Sequence, residues 1–140
     1  MTKPFSQACE NNKRPIAQVL KQAFAGVGSV LEIGSGTGQH AVFMARQLPH
    51  VHWQTSDQPQ YHAGIHQWLA DEPAPNLLSP LTYQVGIDAC PVSAVDGVFT
   101  ANTAHIMQGH EVQQMMQDVE HQMVPFLLQL QEEQNHIVLN

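Results

Sequence analysis

A nearly unbroken apolar run, Ser29–Ile33, passes directly into Gly34-Ser35-Gly36-Thr37-Gly38, and a helix-forming stretch begins at Gln39. Strand, glycine turn and helix in that order are the first part of a β-α-β unit, which commits a chain to a parallel sheet. Glycine at every second position leaves the main chain bare, so that a ligand can come close to it. The helix that follows offers unpaired N–H groups at its first turn. Glu32, two residues before the first glycine, adds a negative charge. It disfavours a pyrophosphate at this turn and favours a ligand that carries positive charge.

The remaining pattern extends the same architecture. Residues 1–14 are polar and suggest an arm, and residues 15–140 a single domain. Pro15 suits the first position of a helix, and Ile16, Val19, Leu20, Ala23 and Phe24 follow at helical spacing. Ala41, Val42, Ala45 and Leu48 mark a second helix, stopped at Pro49, and Val51–Thr55 a second strand ending at Ser56-Asp57. Tyr61, Ile65, Trp68 and Leu69 give a third helix, and Pro73, Pro75 and Pro80 a loop. Leu81–Ile87 and Asp96–Thr100 are the expected third and fourth strands, ending near Asp88 and Asn102. The stripe Val112, Met115, Met116, Val119 and Met123 predicts a further helix, and His136–Leu139 a fifth strand. The expected fold is α/β, a three-layer sandwich around a parallel sheet of four or five strands. Sheets of this kind bind ligands at the carboxyl ends of their strands, where Glu32, the glycines, Asp57, Asp88 and Asn102 all fall.

Composition narrows the partners. The chain has five Lys plus Arg, a formal net charge of −7 and no basic cluster, which disfavours a nucleic-acid substrate. Cys9 and Cys90 form no CxxC pair, as expected of a reduced, cytoplasmic protein. No apolar run approaches membrane-spanning length.

The glycine spacing is G-x-G-x-G, not the G-x-G-x-x-G of dinucleotide-binding folds. Asp57 lies 19 residues beyond Gly38, close to the ~20 at which an acid accepts hydrogen bonds from ribose hydroxyls. A ribose-bearing cofactor with a cationic end satisfies both carboxylates, and S-adenosylmethionine, with its ammonium and sulfonium, is of that kind. An NAD-dependent oxidoreductase is a weaker alternative because of the spacing and of Glu32.

Val30–Gly38 resembles the first motif of class I S-adenosylmethionine-dependent methyltransferases. Ala8–Ile16, Leu31–Ala41, Leu48-Pro49-His50, Trp53-Gln54, Ser56-Asp57 and Asn102–Met107 together resemble the DUF938 family, also called methyltransferase-like 26. The resemblance covers residues 6–107. It implies a Rossmann-like class I fold and a methyltransferase-like assignment but no known acceptor; a small-molecule acceptor is the expected partner. By the same resemblance Glu32, Gly34, Gly36 and Gly38 would line the methionine end of the cofactor. Asp57 would hold the ribose and Asp88 would lie near the adenine. Asn102 and His105 would stand beside the transferred methyl, with His105 as the one general base on offer. After Met107 the chain reads Gln108-Gly109-His110 where the resemblance leads to a tryptophan, and the glutamine-rich residues 117–140 depart from it. A C-terminally truncated sheet follows from this, with an exposed edge that favours self-association. An inactive cofactor-binding remnant is then the alternative to an enzyme.

Each residue also has a plainer use. Asp57 could cap the next helix, Asp88 could bond its own loop, and Asn102 could satisfy a strand end. His105 could be structural. The pairs His62/His66 and His50/His52 lack a predictable third ligand, so no metal is expected. Glu10–Arg14 could be a solvated arm or a lid.

Overall fold

The computed structural model describes residues 3–101, 113–114, 117–118 and 137–139. Helix α1 (Gln7–Ala23) precedes strand β1 (Ser29–Ile33), then α2 (Gln39–Gln47), β2 (His52–Asp57) and α3 (His62–Asp71), the last entered through a 3-10 turn at Pro59–Tyr61. Strands β3 (Leu77–Thr82), β4 (Gly97–Thr100) and β5 (Ile137–Leu139) complete the described elements. The five strands pair in parallel in the order β3-β2-β1-β4-β5. The direction of winding reverses between β1 and β4, which makes the carboxyl ends of those two strands the switch point where such sheets take ligands.

Alternation along β1 sorts the core. Val30 joins Trp53, Phe99 and residues of α1 and α2, among them Leu20, Phe24, Ala41 and Met44. Leu31 and Ile33 join Val98, Tyr83 and Val95 on the opposite face. All five residues of β1 but Ser29 are buried, as a central parallel strand covered on both faces requires. Gly97 serves this packing, since a Cβ there would stand 2.9 Å from the Phe24 ring.

Three boundaries differ from the sequence-based expectation. Helix α1 starts at Gln7, and Pro15 lies inside it. Ser6 is the N-cap, its Oγ accepting the Cys9 N–H, and side chains of the first turns bond into α2. Those contacts outweigh the hydrogen bond that an interior proline removes. Glu10–Arg14 are therefore helical residues, not a solvated arm. The third strand is Leu77–Thr82 rather than Leu81–Ile87, so Pro80 is in a strand. It is tolerated there because β3 is an edge strand and the pairing with β2 slips between Gln54 and Ser56. The second strand runs on to Asp57, which thus ends the strand rather than follows it. β1 matches its expected bounds, and β5 forms within the expected His136–Leu139, parallel to β4. The 112–123 stripe lies for the most part outside the described residues, as do residues 124–136. Among the described residues no helix is long and apolar enough to cross a membrane.

One buried amide fastens α2 to the sheet. Asn76 is 8% exposed, and its Nδ2 donates to the carbonyls of Ala45, Leu48 and Val51 at 2.9, 3.1 and 2.8 Å. These include carbonyls at the helix C-terminus that no helical N–H can reach. Asn76→Ala should lower stability by about 3 kcal/mol, because the carbonyls of Ala45 and Val51 stay buried without this donor, whereas that of Leu48 keeps the Val51 N–H. Urea unfolding with an unchanged m-value is the measurement that checks it.

Candidate functional site

At the end of β1 the chain turns through Gly34, Gly36 and Gly38 with φ of +70°, +62° and +96°. A side chain is strained in that region of φ, which accounts for the alternate glycines. Gly38 is also sterically confined: a Cβ there would meet Trp68 Cβ at 3.2 Å and Ile65 Cα at 3.3 Å. At Gly36 the opposite holds, the nearest atom to such a Cβ being Gly34 O at 4.0 Å. The main chain at Gly36 is open to a ligand, whereas that at Gly38 is packed against α3.

Asp57 holds this loop from the end of the neighbouring strand. Its Oδ2 accepts the Gly36 N–H at 2.8 Å and its Oδ1 accepts the Gln58 N–H at 2.7 Å. Each oxygen keeps acceptor capacity for a further donor such as a hydroxyl. Burial pushes the Asp57 carboxyl above its ordinary pKa, and the two backbone N–H groups oppose this. Ser35 and Ser56 lock the same junction reciprocally. Ser35 N–H donates to Ser56 O at 2.9 Å and Ser56 N–H to Ser35 Oγ at 3.0 Å. From the other side Thr100 Oγ1 donates to Ile33 O at 2.8 Å. The strand ends of β1, β2 and β4 are thus tied together beneath the loop.

Glu32 lies in the interior, 2% exposed. Its Oε1 accepts the Trp53 indole N–H at 3.1 Å, and the Ser35 side chain also bonds the carboxyl. Burial raises its pKa to about 7. Trp53 and Ser35 pull it down, and the nearby Asp57 pushes it up further. At the start of α2 His40 is hydrogen-bonded through Nε2 to Asn12 Oδ1 at 2.7 Å and meets the Phe99 ring edge-on. Burial depresses its pKa, so it is held neutral.

The structure brings Glu32, Gly34, Gly36, Gly38 and Asp57 together. Asp88 lies in a turn six residues past β3, where its Oδ2 accepts the Gln84 N–H at 2.8 Å and its own N–H returns to Gln84 O at 2.9 Å. That is the plainer use expected of an aspartate. Asn102 and His105 lie outside the described residues. One histidine of each pair bonds a carbonyl, His50 that of Phe24 and His62 that of Asp57, both at 2.9 Å. Among the described residues no three His, Cys, Asp or Glu groups stand close enough to hold a metal.

Sequence reasoning did not single out Ser35, Ser56, Gln39 or Trp53 as site residues. Gln39 and His40 carried a signal, as polar residues that open a helix whose other inward positions are apolar. Trp53 carried only its indole N–H, which a buried strand obliges to find an acceptor.

A parallel sheet with a glycine loop at its switch point and an acid at the end of the next strand defines the class I methyltransferase fold. The S-adenosylmethionine-dependent methyltransferase SibL, in its apo form, superposes with a TM-score of 0.73 at 17% identity, over 84% of this chain and 33% of that one. Human N-acetylserotonin methyltransferase in complex with SAM gives 0.68 at 14% identity, over 84% and 32%. The glycopeptide N-methyltransferase MtfA complexed with sinefungin gives 0.68 at 14%, over 79% and 45%. The chain spans between about a third and a half of the length of these proteins. Residues 3–128 match the family described as "Protein of unknown function (DUF938)", and the chain belongs to that family. The match runs beyond residue 107, where the resemblance seen in the sequence had ended.

The raised pKa of Glu32 makes the empty protein pH-sensitive. The unfolded chain releases this proton near 4.5 and the fold near 7. Below 4.5 both states hold it, and above 7 the fold must carry a buried charge. The favourable contribution is thus complete at low pH and lost as pH rises through 7, by about 3 kcal/mol. The depressed His40 acts in the opposite sense below 6.5, and the raised Asp57 in the same sense at lower pH. Comparison with Glu32→Gln isolates the carboxyl. Ligand-free wild type should lose stability relative to that variant between pH 5 and 8 in denaturant titrations.

Proposed function

We propose that the chain binds S-adenosylmethionine at the glycine loop and serves methyl transfer to a small-molecule acceptor. The observation that carries this reading is the pairing of an open main chain at Gly36 with two buried carboxyls, Glu32 and Asp57, that no described ion pair neutralises. The described ion pairs are Lys3–Asp71, Lys13–Glu10 and Arg46–Glu72. A pyrophosphate would meet uncompensated negative charge here, whereas an ammonium or sulfonium is attracted to it. The donor set fits such a cofactor: Asp57 retains acceptor capacity for ribose hydroxyls, and the loop backbone is accessible at Gly36.

Bound there, the cofactor would supply a methyl group on a sulfonium, open to attack by a nucleophilic acceptor. The chain's part is to hold and orient. Asp57 fixes the loop and the ribose through one carboxylate. Glu32, anchored by Trp53 and Ser35, sets the sign of the charge that the loop accepts. Placement of two reactants can supply much of the rate in such a transfer. His105 is proposed to take a proton from an acceptor hydroxyl or amine, with Asn102 beside it, and Asp88 to flank the adenine. A protein that binds the cofactor without turnover is the second reading, favoured by Gln108-Gly109-His110, which stand where the family resemblance leads to a tryptophan.

Calorimetry separates these readings from an oxidoreductase. S-adenosylmethionine and S-adenosylhomocysteine should bind at micromolar strength or better, and NAD should not. Asp57→Ala should weaken binding at least tenfold, that is by ~1.4 kcal/mol. Binding of the cationic cofactor should tighten as pH rises through 7, when Glu32 ionises, and Glu32→Gln should remove that dependence. A tight NAD signal without an adenosyl signal would reject the proposal.

A further inference from the structure

The residue after the glycine loop is a glutamine whose side chain turns away from the loop and into the N-terminal segment. Gln39 is 1% exposed. Its Oε1 accepts the Ser6 N–H at 2.6 Å and the Thr37 hydroxyl at 2.9 Å. Its Nε2 donates to Ser6 O at 3.2 Å and to Glu10 Oε2 at 2.8 Å. Two acceptor sites and two N–H groups are the whole capacity of an amide, so this one is saturated. Ser6 is also the cap of α1. One side chain therefore joins the start of α1, its first turn and the loop residue Thr37.

The segment before Ser6 grips the other neighbour of Gly38. Pro4 O accepts the Trp68 indole N–H. The Pro4 ring covers Gly64, where a Cβ would stand 2.6 Å from Pro4 Cγ. Lys3 Nζ lies 3.7 Å from the centre of the Trp68 ring and 2.8 Å from Asp71 Oδ2. Trp68 is the residue whose Cβ confines Gly38. Lys3–Glu10 thus holds both groups between which Gly38 is set, Gln39 along the chain and Trp68 across it.

We infer that Gln39 is a positioning residue that makes the N-terminal strap, Lys3–Glu10, and the glycine loop one cooperative unit, so that a ligand at the loop tightens the strap and a loosened strap slackens the loop. The direction of coupling rests on the proposed cofactor site, but the coupling itself does not. The strap is the first-turn contact of α2 and the clamp on α3 at once, and the loop lies between those two helices. Order gained at one is shared by the other because both use the same hydrogen bonds.

Hydrogen exchange resolved by residue tests this. Trp68→Phe removes the donor to Pro4 O yet keeps the Cβ against Gly38, so that any change at the loop must come through the strap. In the ligand-free variant the Cys9 and Glu10 amides, bonded to Ser6, should exchange severalfold faster. The Gly36 and Gly38 amides, bonded to Asp57 and Ser35, should follow. Faster exchange at the strap with the loop unchanged overturns the inference, as does no change at the strap. In wild type, saturating S-adenosylhomocysteine should slow exchange at Cys9 and Glu10 as well as at the loop. Gln39→Leu should abolish the strap response while leaving some protection of the loop. Protection confined to the loop in wild type overturns the coupling. Failure of S-adenosylhomocysteine to protect the loop at all counts against the cofactor reading instead, and the ligand-free comparison still decides the coupling.

Discussion

The hydrogen bond from the Gly36 N–H to Asp57 Oδ2, 2.8 Å long, is the contact on which the rest of the site depends. A loop with three glycines at positive φ has few side chains with which to hold itself, those of Ser35 and Thr37. Its shape must be imposed by its neighbours, and Asp57 does so from the end of β2. The reciprocal bonds of Ser35 and Ser56 fix the same pair of strands one step lower. The register that sets Leu31 opposite Gln54 carries the strand ends to these positions. Parallel pairing and loop shape are consequences of one alignment.

That alignment explains what the sequence disclosed. β1 was legible to the residue because a buried parallel strand is a continuous apolar run, and the glycines mark its end without ambiguity. The acid of β2 was legible from its distance to the loop. What lay hidden was decided by contacts distant in sequence. Pro15 has every local reason to begin a helix, yet α1 begins at Gln7, where Ser6 caps it and Gln39 and His40 hold its first turns. Pro80 has every local reason to lie in a loop, yet it sits in an edge strand at a slip in register. In the first case Gln39 and His40 lie 28 or more residues along the chain from the residues they bond, and in the second the slip is not predictable from periodicity. Asp88 is held locally, its Oδ2 accepting the Gln84 N–H four residues back, a bond that sequence spacing alone made available.

The buried polar groups divide the site into a working face and a supporting one. Gln39, His40 and Trp53 are all hydrogen-bonded inside the protein, to Ser6, Asn12 and Glu32 respectively. Each satisfies a partner that would otherwise be stranded, so that the polar layer between α1, α2 and the sheet resembles a second core. An apolar layer of equal volume would pack as well. The polar layer additionally fixes which way α1 lies across α2, because amide and imidazole bonds tolerate less displacement than contacts between methyl groups.

The charge on that layer is the remaining asymmetry. In a chain of net charge −7, Glu32 and Asp57 are placed near one another in the interior, and burial and the Asp57 charge both raise the cost of ionising Glu32. A fold selected for its own stability would have neutral or apolar residues there, since breaking even between burial and pairing needs a partner of opposite sign. No described ion pair supplies such a partner, and the main chain at Gly36 is open beside Asp57. On the reading proposed above, a cation seated there draws the Glu32 proton off near neutral pH, and the free energy that the empty fold lacks reappears as affinity. Stability and recognition are then two measurements of the same carboxyl, and a change that improves one at this position must weaken the other.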